Sequence, residues 1–218
     1  MADNQDDALF GQTPSQTVGP FFHYGLPWKG GADLVGAADI GARPDLMPPQ
    51  HYVLATPHAR PPIPGPHIEI FGRVLDGAGV PVPDAMVEIW QANAAGRYNS
   101  TSDPRSEIAL DPGFVGFGRS STSEAGEYRF RTVLPGRVPG PGNRLQAPHI
   151  AIGVMGRGLL KRLVTRLYFE DGEGLDLDPV LELVPEARRN TLIARREGSG
   201  YRFDIVLQGA GETVFFDC

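Results

Sequence analysis

The sequence predicts an all-β protein: a β-sandwich of about eight short strands, preceded by a long and mostly irregular N-terminal arm. Three observations predict it. Glycine (28 residues) and proline (21) make up more than a fifth of the 218 positions, and they fall between short apolar runs rather than in one tract. That is the punctuation of a chain with many turns. From His67 onward apolar and polar residues alternate, which places one face of each run in a core and the other outside. The runs recur at the spacing of a sandwich.

The arm covers residues 1–65 and the sandwich 66–218. The arm is rich in Pro and Gly with little periodicity, and Ala59-Arg60-Pro61-Pro62-Ile63-Pro64-Gly65-Pro66 closes it, a stretch that suits neither a helix nor a central strand. An arm without its own core has to lie on something, here the main domain or a partner. The first strand starts at His67, with Ile68 and Ile70 alternating with Glu69, and Asp76-Gly77-Ala78-Gly79 is its turn. Val87 and Ile89 alternate with Glu88 and Trp90 in the next. Ser123-Glu124-Ala125-Gly126 is a turn before the strand Tyr128–Thr132. Ile150, Ile152 and Val154 share one face of a further strand, which puts His149, Ala151 and Gly153 on the other. Leu163–Phe169 is another strand. A short helix is expected within Leu177–Leu192, one strand through Tyr201, Phe203, Ile205 and Leu207, and a last edge strand over Thr213–Phe216.

Bulk properties exclude several functions. A net charge of −6, with no compensating basic block, argues against nucleic acid. The pairs Arg188-Arg189 and Arg195-Arg196 read as a solvated face or an interface rim. Cys218 is the single cysteine, so an internal disulfide and a cysteine-based zinc site are impossible. The acidic start lacks the pattern of a signal peptide and no apolar run reaches membrane-spanning length, so no membrane partner is expected and the cytoplasm is the expected location. The phosphate-binding Gly-rich loop, the Gly-x-Ser-x-Gly elbow and the His-Glu-x-x-His helix are all missing, which disfavours phosphoryl transfer, serine hydrolysis and zinc proteolysis.

His149 is the candidate metal ligand. Residues two apart on a strand point the same way, so a His-x-His pair would aim two imidazoles at one metal. The second position is Ala151, which has no donor atom. Taken alone, His149 reads as a hydrogen-bonded structural histidine and Tyr98 as packing at a strand end.

The surrounding strings change that reading. Val87-Glu88-Ile89-Trp90-Gln91-Ala92-Asn93-Ala94-Ala95-Gly96-Arg97-Tyr98 is distinctive, as is Gly126-Glu127-Tyr128-Arg129-Phe130-Arg131-Thr132-Val133-Leu134-Pro135-Gly136 followed by Ala147-Pro148-His149-Ile150. Together they resemble the intradiol ring-cleaving dioxygenases, from about Thr13 to the C-terminus and in the same order. The resemblance implies a β-sandwich that holds a non-haem ferric ion by two tyrosines and two histidines. Tyr98 matches the first tyrosine and Val138 the second, while His149 and Ala151 match the histidine pair. Two of the four ligand positions are thus aliphatic, and hard ferric iron has little affinity for so incomplete a set. No catalytic iron is expected in this chain.

Thr13-Pro14-Ser15-Gln16-Thr17-Val18-Gly19-Pro20-Phe21, Tyr201-Arg202-Phe203-Asp204-Ile205 and Gly211-Glu212-Thr213-Val214-Phe215-Phe216-Asp217 resemble the iron-free α subunit of family members built from two homologous chains. This implies a homologous β subunit as partner, with Fe(3+) in that subunit, and a substrate site at the α/β interface. The implied reaction is cleavage of 3,4-dihydroxybenzoate (protocatechuate) by O₂ to 3-carboxy-cis,cis-muconate. In that resemblance Thr17, Gly19, Pro20 and Arg157 wall the substrate pocket. Without it, Gly19-Pro20 is a turn and Arg157 a loop surface charge. Two rivals stand beside this expectation. One is a non-catalytic β-sandwich binding or assembly module. The other is a self-sufficient dioxygenase using His23, His51, His58 or His67, which sit at no recognisable ligand spacing.

Overall fold

The computed structural model describes residues 31–36 and 62–217. Nine strands are found among them: β1 (His67–Leu75), β2 (Met86–Trp90), β3 (Phe117–Ser121), β4 (Glu127–Val133), β5 (His149–Met155), β6 (Leu163–Phe169), β7 (Ile193–Glu197), β8 (Gly200–Arg202) and β9 (Ile205–Val206). They hydrogen-bond in the order β3-β2-β5-β6-β7-β8-β1-β4, with β9 alongside β1. The path folds into two layers because β7 changes partner partway. Ile193 and Ala194 run parallel to β6, and Arg195–Glu197 then pair antiparallel with β8. On the other side the layers are joined by the short segment 31–36. Gly31 accepts a bond from the Arg119 amide, the Leu34 amide donates to the Arg131 carbonyl, and the Arg131 amide donates to the Ala32 carbonyl. The segment's Asp33 is fully buried and pairs with Arg131 at 3.1 Å.

The alternation read from the sequence is what fills the core. Ile68, Ile70 and Val74 of β1, Val87 and Ile89 of β2, Tyr128 and Phe130 of β4, and Ile150, Ile152 and Val154 of β5 meet between the layers. Burying one such side chain contributes roughly 1.5–3 kcal/mol. Ile63, assigned by sequence to the arm, is buried in the same cluster. A second, smaller cluster of Ala147, Tyr168, Leu181, Val184 and Leu192 sits under the β6–β7 connection.

The short helix expected within Leu177–Leu192 is present, and several strand expectations are corrected. The helix is a single turn, α1 (Glu186–Arg189), flanked by 3₁₀ turns at Leu181–Leu183 and Asn190–Leu192. Proline at 185 and the β-branched residues nearby give a longer helix little support. The strand expected from Tyr201 to Leu207 breaks at Phe203 and Asp204 into β8 and β9, because the Asp204 carboxylate, not a backbone carbonyl, accepts the Arg73 amide at 3.0 Å. Thr213–Phe216 forms only one isolated bridge, Phe216 to Val164. β3 and β7 were not foreseen. Phe-Gly-Arg-Ser-Ser and Ile-Ala-Arg-Arg-Glu lack an apolar alternation, and both are held as strands by their neighbours.

Candidate functional site

Sheet register assembles the site on the outer face of β5. Antiparallel partners share a face, so Trp90, Ala151 and Arg166 form one row and His149 and Tyr168 the next. Two loops cover these rows, one running from Gln91 to Gly116 and the other from Leu134 to Pro148.

The first loop positions Tyr98. Gln91, fully buried, donates to the carbonyls of Ala92 and Val133 and accepts the Thr132 hydroxyl at 2.7 Å, which ties the end of β2 to β4. Asn93 then closes a turn: its side-chain oxygen accepts the Arg97 amide, and its carbonyl accepts Gly96 N–H. Gly96 has φ of +82° and its Cα faces the Arg137 carbonyl so closely that an added Cβ would lie 2.2 Å from that oxygen. Gly136 is equally constrained, since a Cβ there would lie 2.5 Å from Gly96 N. These two glycines let the loops dock backbone to backbone, the Gly136 amide donating to the Asn93 carbonyl. The motif glycines of the sequence therefore have a direct steric cause. Past the turn, Asp103 accepts the Tyr98 amide and is clamped by the Arg105 guanidinium. That guanidinium holds the Asp103 carboxyl well below the usual carboxylate range.

Tyr98 stacks on Trp90 with ring centroids 5.8 Å apart and planes 13° from parallel. Its hydroxyl faces His149 Nε2 at 3.5 Å. His149 Nδ1 is 2.8 Å from the Ala147 carbonyl, which can only accept, so Nδ1 carries the proton and Nε2 presents a lone pair toward the phenol. This is the pinned orientation of a ligating imidazole. Val138, buried at 3% exposure, lines a cavity of about 490 Å³ together with Trp90, Tyr98, Arg105 and Asn143. Tyr98 and Val138 line this cavity, His149 meets it through the Tyr98 hydroxyl, and Ala151 stands beside Trp90 on the same strand face; of the four, only Tyr98 and His149 offer side-chain donor atoms.

The pocket favours neutral groups. Burial raises the Tyr98 phenol, partly offset by the charge of Arg166, so the hydroxyl keeps its proton near neutrality. Burial, reinforced by Arg166, depresses His149 to about 4. The Asp178 carboxyl and the Ala147 carbonyl act in the opposite sense without reversing it. Protonating His149 favours the unfolded chain, in which an imidazole titrates near its ordinary value of about 6.5. Stability is therefore expected to decline by roughly 3 kcal/mol as pH falls from about 6.5 to about 4. In urea denaturation His149→Gln should lack that decline, so the stability gap between the two proteins narrows in acid. Parallel pH profiles would show that His149 does not titrate in this way.

A ferric ion, implied by the sequence resemblance, needs several hard anionic or imidazole donors around one point. The pocket supplies one protonated phenol and one imidazole, two aliphatic walls, and a guanidinium at the position beside Ala151. Among the described residues no group of three or more His, Cys, Asp or Glu side chains converges. The residues present do not fit the ion. His67 makes a structural bond to the Ile63 carbonyl at 2.9 Å, away from this pocket, and His23, His51 and His58 lie outside the described residues.

Of the expected pocket-wall residues, Thr17, Gly19 and Pro20 lie outside the described residues. Arg157 is exposed just past the end of β5 opposite to His149. Six residues of strand, at about 3.3 Å each, put these ends roughly 20 Å apart. Arg157 therefore serves no pocket built on His149 of its own chain. Sequence reading missed Asp103, Gln146, Arg166 and Asp178. An arginine on the polar face of a strand reads as solvated, and nothing local reveals that Arg166 stands opposite Ala151.

Comparison with known proteins shows the family. The dioxygenase family Dioxygenase_C matches residues 48–209. The chain is 43% identical over 215 residues to the protocatechuate 3,4-dioxygenase alpha chain of Burkholderia cepacia, covering 94% of this chain and 97% of that one. It is also 43% identical to the beta chain from the same organism, but over 68% of this chain and 67% of that one. Hydroxyquinol 1,2-dioxygenase from Pseudomonas putida DLL-E4 shares the fold at a TM-score of 0.55 and 21% identity, over 89% of this chain and 65% of that structure. A match across most of the sequence, on a sandwich whose motif glycines and strand face are those the fold requires, places the chain in the intradiol ring-cleavage dioxygenase family.

Proposed function

We propose that this chain is the alpha, iron-free half of a protocatechuate 3,4-dioxygenase. The observation that carries the reading is an asymmetry. Similarity to an alpha chain runs over nearly the whole length, similarity at the same identity to a beta chain covers two thirds, and two donor positions of the pocket are Val138 and Ala151. The partner is a homologous beta subunit that holds the Fe(3+). The reaction is oxygen-dependent cleavage of protocatechuate between its two hydroxylated carbons. Both oxygen atoms enter the product, 3-carboxy-cis,cis-muconate.

This chain's residues bind and orient at the interface. Thr17, Gly19 and Pro20, which lie outside the described residues, are the arm's proposed contribution to the wall of the substrate pocket. Arg157 presents a planar fork of donors that suits the substrate carboxylate. Leu160, 79% exposed three residues further on, gives the same loop an apolar contact for a neighbouring chain. Among the described residues no helix is long and apolar enough to cross a membrane, and the assembly is assigned to the cytoplasm.

The test is co-expression with and without an iron-bearing homologue. The chain alone should purify without stoichiometric iron or a tyrosinate-to-iron absorption band, and should co-purify with the homologue as an active dioxygenase. Stoichiometric iron in the isolated chain would overturn the division of labour. Failure to bind the homologue or to alter its kinetics would favour a non-catalytic module.

A further inference from the structure

Arg166 lies directly opposite Ala151 in the β5–β6 register, on the same face as His149 and Tyr168. The space vacated by a second imidazole is therefore next to a guanidinium. The group is held, not loose. Nη1 donates to Gln146 Oε1 at 2.5 Å and approaches the Tyr168 hydroxyl at 3.4 Å. Both acceptors are themselves fixed, Gln146 by donating to the Pro139 carbonyl and Tyr168 by donating to Asp178. Among the described residues Arg166 has no carboxylate at ion-pair distance, unlike most arginines of this surface. The buried Asp178 carboxylate is reached from Arg166 only through the Tyr168 hydroxyl, so this half-buried cation is compensated at one remove. Its charge is felt at Tyr98, His149 and Tyr168 alike.

We propose that Arg166 is the resident cation of this pocket and excludes metal ions from it, so that the absence of iron is enforced by charge as well as by missing donors. Restoring ligand atoms alone then does not restore a metal site. A fixed guanidinium repels a multivalent cation arriving beside it, at a separation too short for salt to screen much of the interaction. Gln146 and Tyr168 keep the side chain from swinging away to relieve that repulsion. The inference rests on the reading that this chain carries no iron of its own.

The test uses the full-length chain and counts iron by elemental analysis, by a tyrosinate-to-iron band and by competition with a chelator, with near-UV circular dichroism reporting folding. Val138→Tyr/Ala151→His should bind iron poorly. Adding Arg166→Gln should raise iron affinity roughly ten- to hundred-fold, whereas adding Arg166→Lys, which keeps the charge, should not. Equal affinity with and without Arg166→Gln overturns the proposal, as does a Lys variant that binds as well as the Gln variant. Should the added tyrosine prevent folding, Ala151→His with and without Arg166→Gln is titrated with zinc, and the same ordering is expected. Iron in the unsubstituted chain would instead overturn the proposed division between subunits, which keeps the two failures apart.

Discussion

Asp178→Ala is expected to destabilise the protein by about 3–5 kcal/mol, more than any single change in the pocket itself. Asp178 is fully buried, and its carboxyl group accepts from four donors. One oxygen takes the Ala147 amide at 2.8 Å. The other takes the Tyr168 hydroxyl at 3.1 Å and the amides of Val180 and Leu181 at 2.9 Å each. Alanine strands all four donors, and each buried unsatisfied group costs about 1–3 kcal/mol, less where water or relaxation reaches it. Asp178→Asn should be intermediate, because an amide can present one accepting oxygen but turns a donor toward one of the donors. The substitution also loosens Ala147, whose carbonyl fixes the tautomer of His149. Urea denaturation at neutral pH measures the effect. A loss below about 1 kcal/mol would show that water replaces the carboxyl without strain.

Arg157→Ala, in the assembled enzyme, is expected to lower kcat/KM for protocatechuate by about ten- to a hundred-fold, from the loss of a charged hydrogen bond of roughly 1.5–3 kcal/mol. The position makes the test clean. Arg157 is exposed, sits between Gly156 and Gly158, and makes no side-chain bond among the described residues, so the fold should be unaffected. Direct contact with the carboxylate predicts a loss that salt barely changes. Long-range steering predicts a smaller loss that fades as ionic strength rises. A catechol without a carboxylate should be indifferent to the change in either case. Unchanged kcat/KM with normal assembly would remove Arg157 from the pocket wall.

The sequence and the structure each decided different things. Alternation alone placed β1, β2, β4, β5 and β6, because a half-buried strand must put its apolar residues on one side. It also put His149 and Ala151 on one outer face. The motif strings aligned Tyr98 and Val138 with them, which the family resemblance implies as ligand positions. The breaks and additions were not. β3 and β7 carry no apolar alternation, and they are strands because neighbours supply their hydrogen bonds. The chain leaves strand geometry at Phe203 and Asp204 because a side-chain carboxylate takes the Arg73 amide. Most of all, the guanidinium opposite Ala151 and the buried carboxyl bonded to the Ala147 amide were hidden. Arg166 stands 15 positions from Ala151 and Asp178 stands 31 from Ala147, and only cross-strand register and packing make them neighbours. Local spacing fixes which way a side chain points. What it meets there depends on the pairing of distant segments, and that is why the sequence shows His149 without a second donor at Ala151, while only the tertiary structure shows Arg166 opposite that position.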